Sequence, residues 1–464
     1  MYFLCYFFIK SRCSRYAFLV GFYYGFGKIL FDIYWIGFAF VIGDTGGWIA
    51  GFFAVIFLSL FLALFFSSAT ILAFIIKSED NYFKILTLLL FLSFFEWVKG
   101  NIFTGFPWNP PAAIWSFNYF TMQPLSMIGT WGYSLLTIFA AGALFFVRSY
   151  LKGSFILIFP FIAVLSISNI FYKDNLSEKK ILVSIIQPNI SQTSKWNSKE
   201  LFNNFQKHLE MTKTLSLNTK SAHIIIWSET ATPYDLSNDE TALKMISNIL
   251  QDKNYLITGF VRYKNSDNKN VKTSVYNSIG VISSDGKLIS YYDKSHLVPF
   301  GEYIPLKKYI PFSKITDGID NFTSGRGLHT IQINNQFKFS PLICYEVIFP
   351  GKVVDPYARP DVLINLTNDA WYGNTAGPYQ HFTLARMRAV EEGLPLIRAA
   401  NTGISAVVDS RGSVIDKIEL MKEGVLQTFI SYKGSETIYS RTGDLFFWTG
   451  FIGILMLILY RRSW

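Results

Sequence analysis

Charged residues and cysteines are both scarce in this sequence of 464 residues. Only 16% of the residues are Asp, Glu, Lys or Arg, whereas 51% are hydrophobic and 18% are aromatic. A chain of this length with so few charges is not an ordinary water-soluble enzyme, so part of it is expected to lie in lipid. Three cysteines are present, and Cys344 is the only one in the polar central region. A disulfide within that region is therefore excluded.

Other signals are also missing. Residues 1–9 have neither a basic n-region nor a small-residue cleavage site, so a removable signal peptide is not expected. Internal repeats and low-complexity tracts do not occur. The net charge of +10 is not a signal for nucleic-acid binding, because the basic residues are either dispersed or explained by membrane topology.

Long apolar runs fill residues 17–172 and return at 445–460. About 20 apolar residues cross the hydrocarbon core of a bilayer, so the sequence predicts five spans before the central region and one after it. Residues 1–9 are too short to cross alone. The predicted spans lie at 17–41, 51–76, 83–98, 124–147, 154–172 and 445–460.

The distribution of Lys and Arg predicts the orientation of these spans. Basic residues occur at 10–15, 77–84, 148–152 and in the C-terminal tail, whereas 42–50 and 99–123 contain only one Lys between them. This alternation places the central region outside the cytoplasm, where thiols are oxidised. We predict a membrane domain at 1–172, a periplasmic domain at 173–444, and a C-terminal transmembrane helix with its tail at 445–464.

The central region alternates strand patterns with helix patterns. Strands are predicted at 179–190, 222–233 and 255–263, and a Ser-Asp-Gly turn at 284–286 indicates a hairpin. Helices are predicted near 198–218, 239–253 and 378–392. Strands that alternate with helices and hairpins favour a layered α/β fold with helices over sheets.

Three polar residues follow apolar strand patterns, where α/β folds usually place their chemistry. Glu229 follows "IIIWS", Lys294 lies in "YYDKSHLVPFGEYIP" and Cys344 follows "FSPLI". Each has an ordinary interpretation alone, as a capping acid, a solvated lysine or a buried cysteine. Together they form a complete set for acyl transfer: a base, a cation for the oxyanion and a thiol nucleophile.

Several motifs carry a resemblance to a known family. They are "IIWSETATP", "DKSHLVPFGEYIP", "ICYE", the run at 365–405, and "GFPW" in the membrane part. On these motifs, nearly the whole chain resembles the nitrilase superfamily of carbon-nitrogen hydrolases and, within it, the bacterial apolipoprotein N-acyltransferases. The resemblance implies a multi-span α-helical membrane domain and an αββα sandwich whose catalytic triad is Glu229, Lys294 and Cys344.

The resemblance also implies supporting residues. Glu302 and Glu346 are expected to position Lys294 or the incoming amine, with a surface ion pair as the competing interpretation. His296 and His381 are interpreted as structural. The residues that match those on which the family depends are Trp196, Glu302, Tyr345, Glu346 and Arg398.

The activity that the resemblance implies is a ping-pong transfer through a thioester on Cys344. The donor would be a phospholipid, and the acceptor would be the N-terminal amine of an S-diacylglyceryl cysteine in an apolipoprotein, at the last step of lipoprotein maturation. No metal, nucleotide or redox cofactor is expected. The implied protein is a monomer in the bacterial inner membrane with its catalytic domain in the periplasm.

Some alternatives stay open at this point. The family normally has eight spans, and this chain begins within the second, so either the start is assigned too late or fewer helices suffice. A membrane-tethered amidase or nitrilase acting on a small C–N substrate would need only the triad. A transporter or receptor is disfavoured, because intramembrane charges are few. The aromatic outer loop 99–123 is either an interfacial belt or an entry for lipid tails.

Overall fold

The computed structural model describes residues 1–76, 78–147, 150–171, 180–215, 223–264, 273–305, 321–333, 337–432 and 436–462. The predicted boundary between the membrane and periplasmic domains, at 172 and 173, lies outside these residues.

Helices overlap all six predicted spans. The apolar helix α4 and the bent pair formed by α2 and α3 are close neighbours, and α7 packs between α5 and α8. The helices of the N-terminal part are α1 (Tyr2–Ile9), α2 (Ser14–Ile33), α3 (Ile36–Ile42), α4 (Gly47–Ile75), α5 (Asn81–Asn101), α6 (Tyr119–Met122), α7 (Pro124–Ala143) and α8 (Leu151–Phe171).

Three of these helices, α4, α7 and α8, are long and apolar enough to cross a membrane. Helices α2 and α3 also qualify when they are taken as one span bent by 45°. Helix α5 does not qualify, and it carries Lys84, Glu96 and Lys99. The final helix, at Leu445–Arg462, is apolar but shorter than the qualifying helices. The spans predicted at 83–98 and 445–460 therefore stay predictions.

The rest of the chain folds into two six-stranded sheets with the strand orders β12-β1-β2-β3-β4-β5 and β11-β10-β9-β8-β7-β6. Strands β1, β2 and β3 are parallel, as are β7, β8 and β9. The strands are β1 (Lys180–Gln187), β2 (His223–Ile226), β3 (Asn254–Lys264), β4 (Ser274–Ser283), β5 (Leu288–Asp293), β6 (Ile331–Ile333), β7 (Phe337–Ile343), β8 (Val362–Thr367), β9 (Leu396–Ala400), β10 (Ser405–Val408), β11 (Val414–Ile418) and β12 (Gly424–Ser431).

The two sheets pack face to face, because alternate apolar residues of both sheets share one core, including Val183 of β1 and Ile364 of β8. The remaining helices are α9 (Gln192–Lys195), α10 (Leu201–Lys213), α11 (Glu240–Ser247), α12 (Ala376–Glu392), α13 (Ile438–Thr442) and α14 (Leu445–Arg462), and short 3-10 helices lie at Pro111–Trp115, Cys344–Ile348 and Asp369–Tyr372. Of the remaining helices, α9 to α12 lie in the outer layers or link the strands, whereas α13 and α14 follow the last strand and pack against α7.

The outer layers complete the predicted αββα order. Helices α10 and α11 cover the first sheet, where Phe205 and Ile246 pack against Ile225. Helix α12 covers the second sheet, and its Leu384 belongs to the same apolar cluster as Leu363 of β8 and many residues of the membrane helices. The second outer layer is therefore continuous with the membrane part of the molecule.

Buried polar contacts reinforce this junction. Glu391 of α12 accepts hydrogen bonds from the main-chain N–H and the hydroxyl of Thr130 in α7, both at 2.6 Å. Its second carboxylate oxygen lies 2.9 Å from Arg388 Nε. The chain of α7 turns at Gly129, whose φ of 65° is non-helical, so Thr130 begins a new helical segment. The first N–H groups of a helix have no acceptor within it, and Glu391 supplies one for Thr130.

Candidate active site

Glu229, Lys294 and Cys344 all lie at carboxyl ends of strands. Glu229 comes shortly after β2, and Lys294 and Cys344 directly follow β5 and β7. They are 7%, 1% and 9% exposed, respectively. The site thus forms between the layers, with the acid and the lysine on the first sheet and the thiol on the second.

Two carboxylates face the Lys294 ammonium. Its Nζ lies 2.9 Å from Glu302 Oε1 and 3.9 Å from Glu229 Oε1. Asn277 bridges the same two oxygens, because its amide donates to Glu229 at 2.8 Å and to Glu302 at 3.2 Å. The main-chain N–H of Asn368 donates to the other oxygen of Glu229 at 2.8 Å. Glu229 is thereby held by partners from both sheets.

Burial and these charges set the protonation states. Burial by itself would lower the pKa of Lys294, but the carboxylates of Glu302 and Glu229 outweigh it and raise the pKa, so the side chain is an ammonium. Burial, with the nearby Glu229 carboxylate, raises the pKa of Cys344 to about 12, while Lys294 opposes the rise. The resting nucleophile is therefore a thiol that needs a base.

Cys344 sits at a strained turn. Its φ of 49° lies in the left-handed region, which residues other than glycine rarely adopt. The turn takes the chain from β7 into the short helix Cys344–Ile348. Such strain persists only where surrounding contacts hold it, and it is common at functional sites.

Glu346 and Tyr345 contact the surroundings of the triad. Glu346 accepts from the Tyr292 hydroxyl at 2.7 Å and from the N–H groups of Ser295 and His296 at 2.8 and 3.0 Å. It therefore fixes the backbone directly after Lys294 and does not contact the ammonium itself. Tyr345 donates its hydroxyl to the main-chain oxygen of Gly105 in the membrane part at 2.9 Å.

Arg398 belongs to a buried network behind the cysteine. Its guanidinium donates to Asp369 at 2.7 Å and also bonds the Asn365 side chain. His381 Nδ1 lies 2.9 Å from the other Asp369 oxygen, and His381 Nε2 lies 3.2 Å from the main-chain oxygen of Cys344. The interpretation of His381 as a mere helix residue did not anticipate this position.

Sequence reasoning missed Asp369, Asn277 and Lys195 as well. Asp369 follows β8, so the strand-end rule that found Cys344 would also have found it. Lys195 is buried and donates to the main-chain oxygen of Glu229 at 2.8 Å. Burial lowers the pKa of Lys195 to about 8, against the effects of Glu229 and Cys344. Only contact with the folded sheets distinguishes it from a surface lysine.

The predicted Trp196 lies next to this lysine and is partly buried. It lines a small cavity together with Lys195, Ser228 and Thr230, and the last two flank Glu229. The structure therefore places Trp196 beside the acid of the triad, on the side of the first sheet.

Cys344, Asp369 and His381 have ligand atoms within 4.8 Å of one another, and such a set can hold a metal ion. Their donor atoms are already engaged, however. Asp369 is paired with Arg398, and both His381 nitrogens have protein partners. A cation would compete with the Arg398 guanidinium for the same carboxylate, so these residues fit a hydrogen-bonded network better than a metal site.

A larger cavity lies at the junction between α12 and the membrane helices. It measures about 580 Å³, and its wall combines charged residues of α2 and α5 with apolar residues of α4, α5 and α7 and polar residues of α12. Trp35 and Trp108 both donate to Gln380 on this wall, at 2.9 and 2.7 Å. The lining residues near the charged end are Lys28, Asp32, Glu96, Asn109, Tyr379 and Gln380.

Comparison with known proteins identifies the family. The profile of carbon-nitrogen hydrolases matches residues 182–438, and the profile of the apolipoprotein N-acyltransferase N-terminal domain matches residues 1–143. The apolipoprotein N-acyltransferase of Rhodopseudomonas palustris is 36% identical over 476 residues, which cover 98% of this chain and 87% of that protein. The chain belongs to the apolipoprotein N-acyltransferase family. The resemblance seen in the sequence motifs is thereby confirmed.

The chain is similar to further proteins. The apolipoprotein N-acyltransferase of Rickettsia typhi is 36% identical over 465 residues, covering 98% of this chain and 92% of that protein. Among solved structures, a Nesterenkonia amidase of the nitrilase superfamily aligns with 54% of this chain and 90% of its own at 15% identity and a TM-score of 0.39. A carbon-nitrogen hydrolase of Helicobacter pylori aligns with 54% and 89% at 19% identity and the same TM-score.

Membership of the apolipoprotein N-acyltransferase family agrees with the architecture. The predicted combination of a helical membrane part with a nitrilase-like α/β sandwich is confirmed by the two sheets, their outer helices and the apolar helices of the N-terminal part. The chain is a membrane protein of an acyltransferase family.

Proposed function

We propose that this chain transfers a fatty acyl group from a phospholipid to the N-terminal amine of an S-diacylglyceryl cysteine in an apolipoprotein. The reaction would be the last step of lipoprotein maturation. The observation that supports it best is the attachment of a buried Glu–Lys–Cys site to the membrane part, through the hydrogen bond from Tyr345 to Gly105. Hydrolysis of a small soluble amide would need no such attachment.

In the first half-reaction, Glu229 accepts the proton of the Cys344 thiol, and the thiolate attacks the ester carbonyl at the sn-1 position of the phospholipid. The Lys294 ammonium and the N–H group of Tyr345 stabilise the tetrahedral oxyanion. Collapse of this intermediate breaks the ester C–O bond. The glycerol oxygen leaves with the proton from Glu229, and the acyl chain remains on Cys344 as a thioester.

In the second half-reaction, the apolipoprotein amine attacks the thioester carbonyl and forms a second oxyanion at the same position. Glu229 accepts the amine proton and returns it to the Cys344 sulfur as the C–S bond breaks. The product amide is more stable than the thioester, which drives the transfer forward. No cofactor takes part in this sequence of steps.

The supporting residues have distinct proposed roles. Glu302 holds the ammonium of Lys294, and Glu346 orders the loop behind it. Arg398 supports the network around Cys344, and Tyr345 joins the strand end to the membrane part. Trp196 borders the acid, where it contributes to the substrate-binding wall.

We also propose that the chain acts in the bacterial inner membrane with residues 173–444 in the periplasm, between a membrane domain at 1–172 and a final helix at 445–464. The Lys and Arg distribution supports this orientation. One chain supplies every residue of the triad, so a monomer suffices.

The cavity of about 580 Å³ is the proposed path for the acyl chains. Its apolar walls suit a lipid tail, and its charged end lies next to the loop 109–114, at the outer end of α5. Exposed aromatic residues of the neighbouring loop, Phe103 and Phe117, are each 75% exposed, which suits contact with the membrane interface.

Mass spectrometry of the purified protein incubated with phospholipid vesicles tests the proposal. We expect a fatty-acyl adduct on Cys344 that passes to a diacylglyceryl peptide with a free amine. The Cys344→Ser and Glu229→Gln variants should form no adduct. An intact wild-type protein that forms no adduct would rule out the transferase. An adduct that only water removes would also rule it out and would favour a hydrolase.

A further inference from the structure

A closed ring of hydrogen bonds surrounds the main-chain carbonyl of Cys344. His381 Nε2 lies 3.2 Å from this oxygen and Asn365 Nδ2 lies 3.4 Å from it. Arg398 joins Asn365 to Asp369, and its guanidinium also lies 3.1 Å from His381 Nδ1, which closes the ring. These four side chains are at most 1% exposed, so water does not compete for their partners.

The direction of the bonds follows from their chemistry. A main-chain carbonyl can only accept, so His381 donates to it through Nε2–H. Burial and the Arg398 charge lower the pKa of His381, so the ring is neutral and Nδ1 is an acceptor. The Arg398 guanidinium, which is paired with Asp369, lies 3.1 Å from Nδ1 and supplies the donor. Asp369 and Arg398 thus fix the plane of the imidazole ring. Polar partners of this kind orient a histidine and select its tautomer.

The same contacts fix the next N–H group along the chain. In a trans peptide, the carbonyl oxygen and the following N–H point in opposite directions from one rigid plane. The hydrogen bonds that hold the Cys344 carbonyl oxygen in place therefore set the direction of the Tyr345 N–H. The φ of 49° at Cys344 is unfavourable for a residue other than glycine, so this orientation needs such contacts.

We propose that His381 and Asp369 are positioning residues that hold the Cys344–Tyr345 peptide so that its N–H faces the developing oxyanion. The inference rests on the proposed acyl transfer and adds to it a group that acts through the backbone. The competing role is direct activation of the thiol by the imidazole, since a His381 nitrogen lies within 4.8 Å of the sulfur. The two roles differ in which reactions of Cys344 depend on His381.

Two reactions of the Cys344 sulfur distinguish positioning of the peptide from direct activation of the thiol. Acylation by an ester passes through a tetrahedral oxyanion, whereas alkylation by iodoacetamide displaces iodide from a saturated carbon and forms no oxyanion. We would measure both rates at Cys344 by mass spectrometry, with phospholipid vesicles and p-nitrophenyl butyrate as acyl donors. The variants are His381→Phe, which cannot donate, and His381→Gln, which keeps a donor. His223→Phe alters another buried histidine, which bonds Ser184, and serves as the matched control.

We expect His381→Phe to slow acylation by both donors about 10- to 100-fold, somewhat less than the 10²–10³-fold loss typical when an oxyanion donor is removed. Alkylation should stay within about twofold of wild type. His381→Gln should recover most of the acylation rate, and His223→Phe should acylate at the wild-type rate.

Parallel loss of alkylation and acylation would overturn the proposal in favour of thiol activation, and unchanged rates of both would show a purely structural histidine. If His381→Phe does not fold, Asn365→Ala removes the second donor to the same oxygen and should show the same selective loss of acylation. A wild-type protein acylated by the p-nitrophenyl ester but not by phospholipid would contradict the proposed function alone. The ester data would still decide the role of His381.

Discussion

At the scale of single residues, the chemistry depends on a thiol that is protonated at rest. The raised pKa of Cys344, about 12, is caused first by burial and then by Glu229. In the proposed mechanism a thiolate forms only as the proton passes to a base, which would protect Cys344 in the proposed periplasmic location, because oxidation follows thiolate character.

The pH dependence of alkylation at Cys344 tests this state. For an acid whose pKa is raised to about 12, the thiolate fraction increases about tenfold for each pH unit below that value. We therefore expect the rate of modification by iodoacetamide to rise about tenfold per unit from pH 7 to 9 without a plateau. A plateau in that range would show a low-pKa thiolate instead. The adduct on exposed Cys13 is resolved separately by peptide mass.

Glu302 gives a second prediction at this scale. Glu302→Gln removes the carboxylate 2.9 Å from Lys294, so the lysine loses its largest favourable charge interaction and its position near the oxyanion. We expect thioester formation to slow about 100-fold, comparable with the loss of an oxyanion donor. The rate is measured by single-turnover mass spectrometry.

The control for Glu302→Gln is Glu423→Gln, which breaks an ion pair with Lys207 that is largely exposed. Surface pairs contribute little, so its acylation rate should match wild type. Equal effects of the two substitutions would contradict a specific role for Glu302.

At the scale of secondary-structure elements, the contact between α12 and α7 carries a buried ion pair. Burial raises the pKa of Glu391 to about 7, so at pH 8 or above Glu391→Gln leaves Arg388 without its carboxylate, and one-sided loss of a buried pair typically costs about 3–5 kcal/mol. We expect a lower midpoint of thermal unfolding in detergent. Glu436→Gln, at an exposed pair with Arg441, should leave the midpoint unchanged. Equal midpoints for both variants would show that this junction adds no stability.

Element by element, the sequence allowed much of the sandwich to be predicted. Alternation and turn residues located β3 and the hairpin of β4 and β5, and the strand-end rule located Glu229, Lys294 and Cys344. The rule was not extended to Asp369. His381 and Lys195 could not be predicted, because their roles arise from contacts of helices with strand ends that are distant in the sequence, His381 with Cys344 and Lys195 with Glu229. Helical periodicity does not encode such long-range contacts.

The membrane elements were harder to predict for a related physical reason. Apolarity locates α4 and α8, but α5 carries Glu96 and Lys99, which form an ion pair at 2.8 Å inside the protein. A hydropathy pattern does not distinguish a helix that faces lipid from one that faces other helices.

At the scale of the whole molecule, the proposed orientation predicts which residues meet a reagent that cannot cross the inner membrane. Cys13 is exposed, whereas Cys5 and Cys344 are buried and the pKa of Cys344 is raised to about 12, so Cys13 is the one thiol of the wild-type chain that reacts in a brief exposure to a maleimide. Tyr357→Cys adds a second at a position that is 97% exposed in the α/β part.

In cells with a permeabilised outer membrane, we expect labelling of the Tyr357→Cys variant but not of wild type. Disruption of the inner membrane should then allow Cys13 to react. Labelling of Cys13 in intact cells, or protection of position 357, would reverse the proposed topology. Peptide mass spectrometry identifies the modified site.

The packing of α12 also bears on the order in which parts of the protein are synthesised and fold. One face of this helix covers the second sheet, and its far side packs on α7, a helix that leaves the ribosome much earlier. Because synthesis runs from the N-terminus, α7 is complete before α12 exists. The surface of α7 that α12 covers therefore lacks this partner until the sandwich has been made.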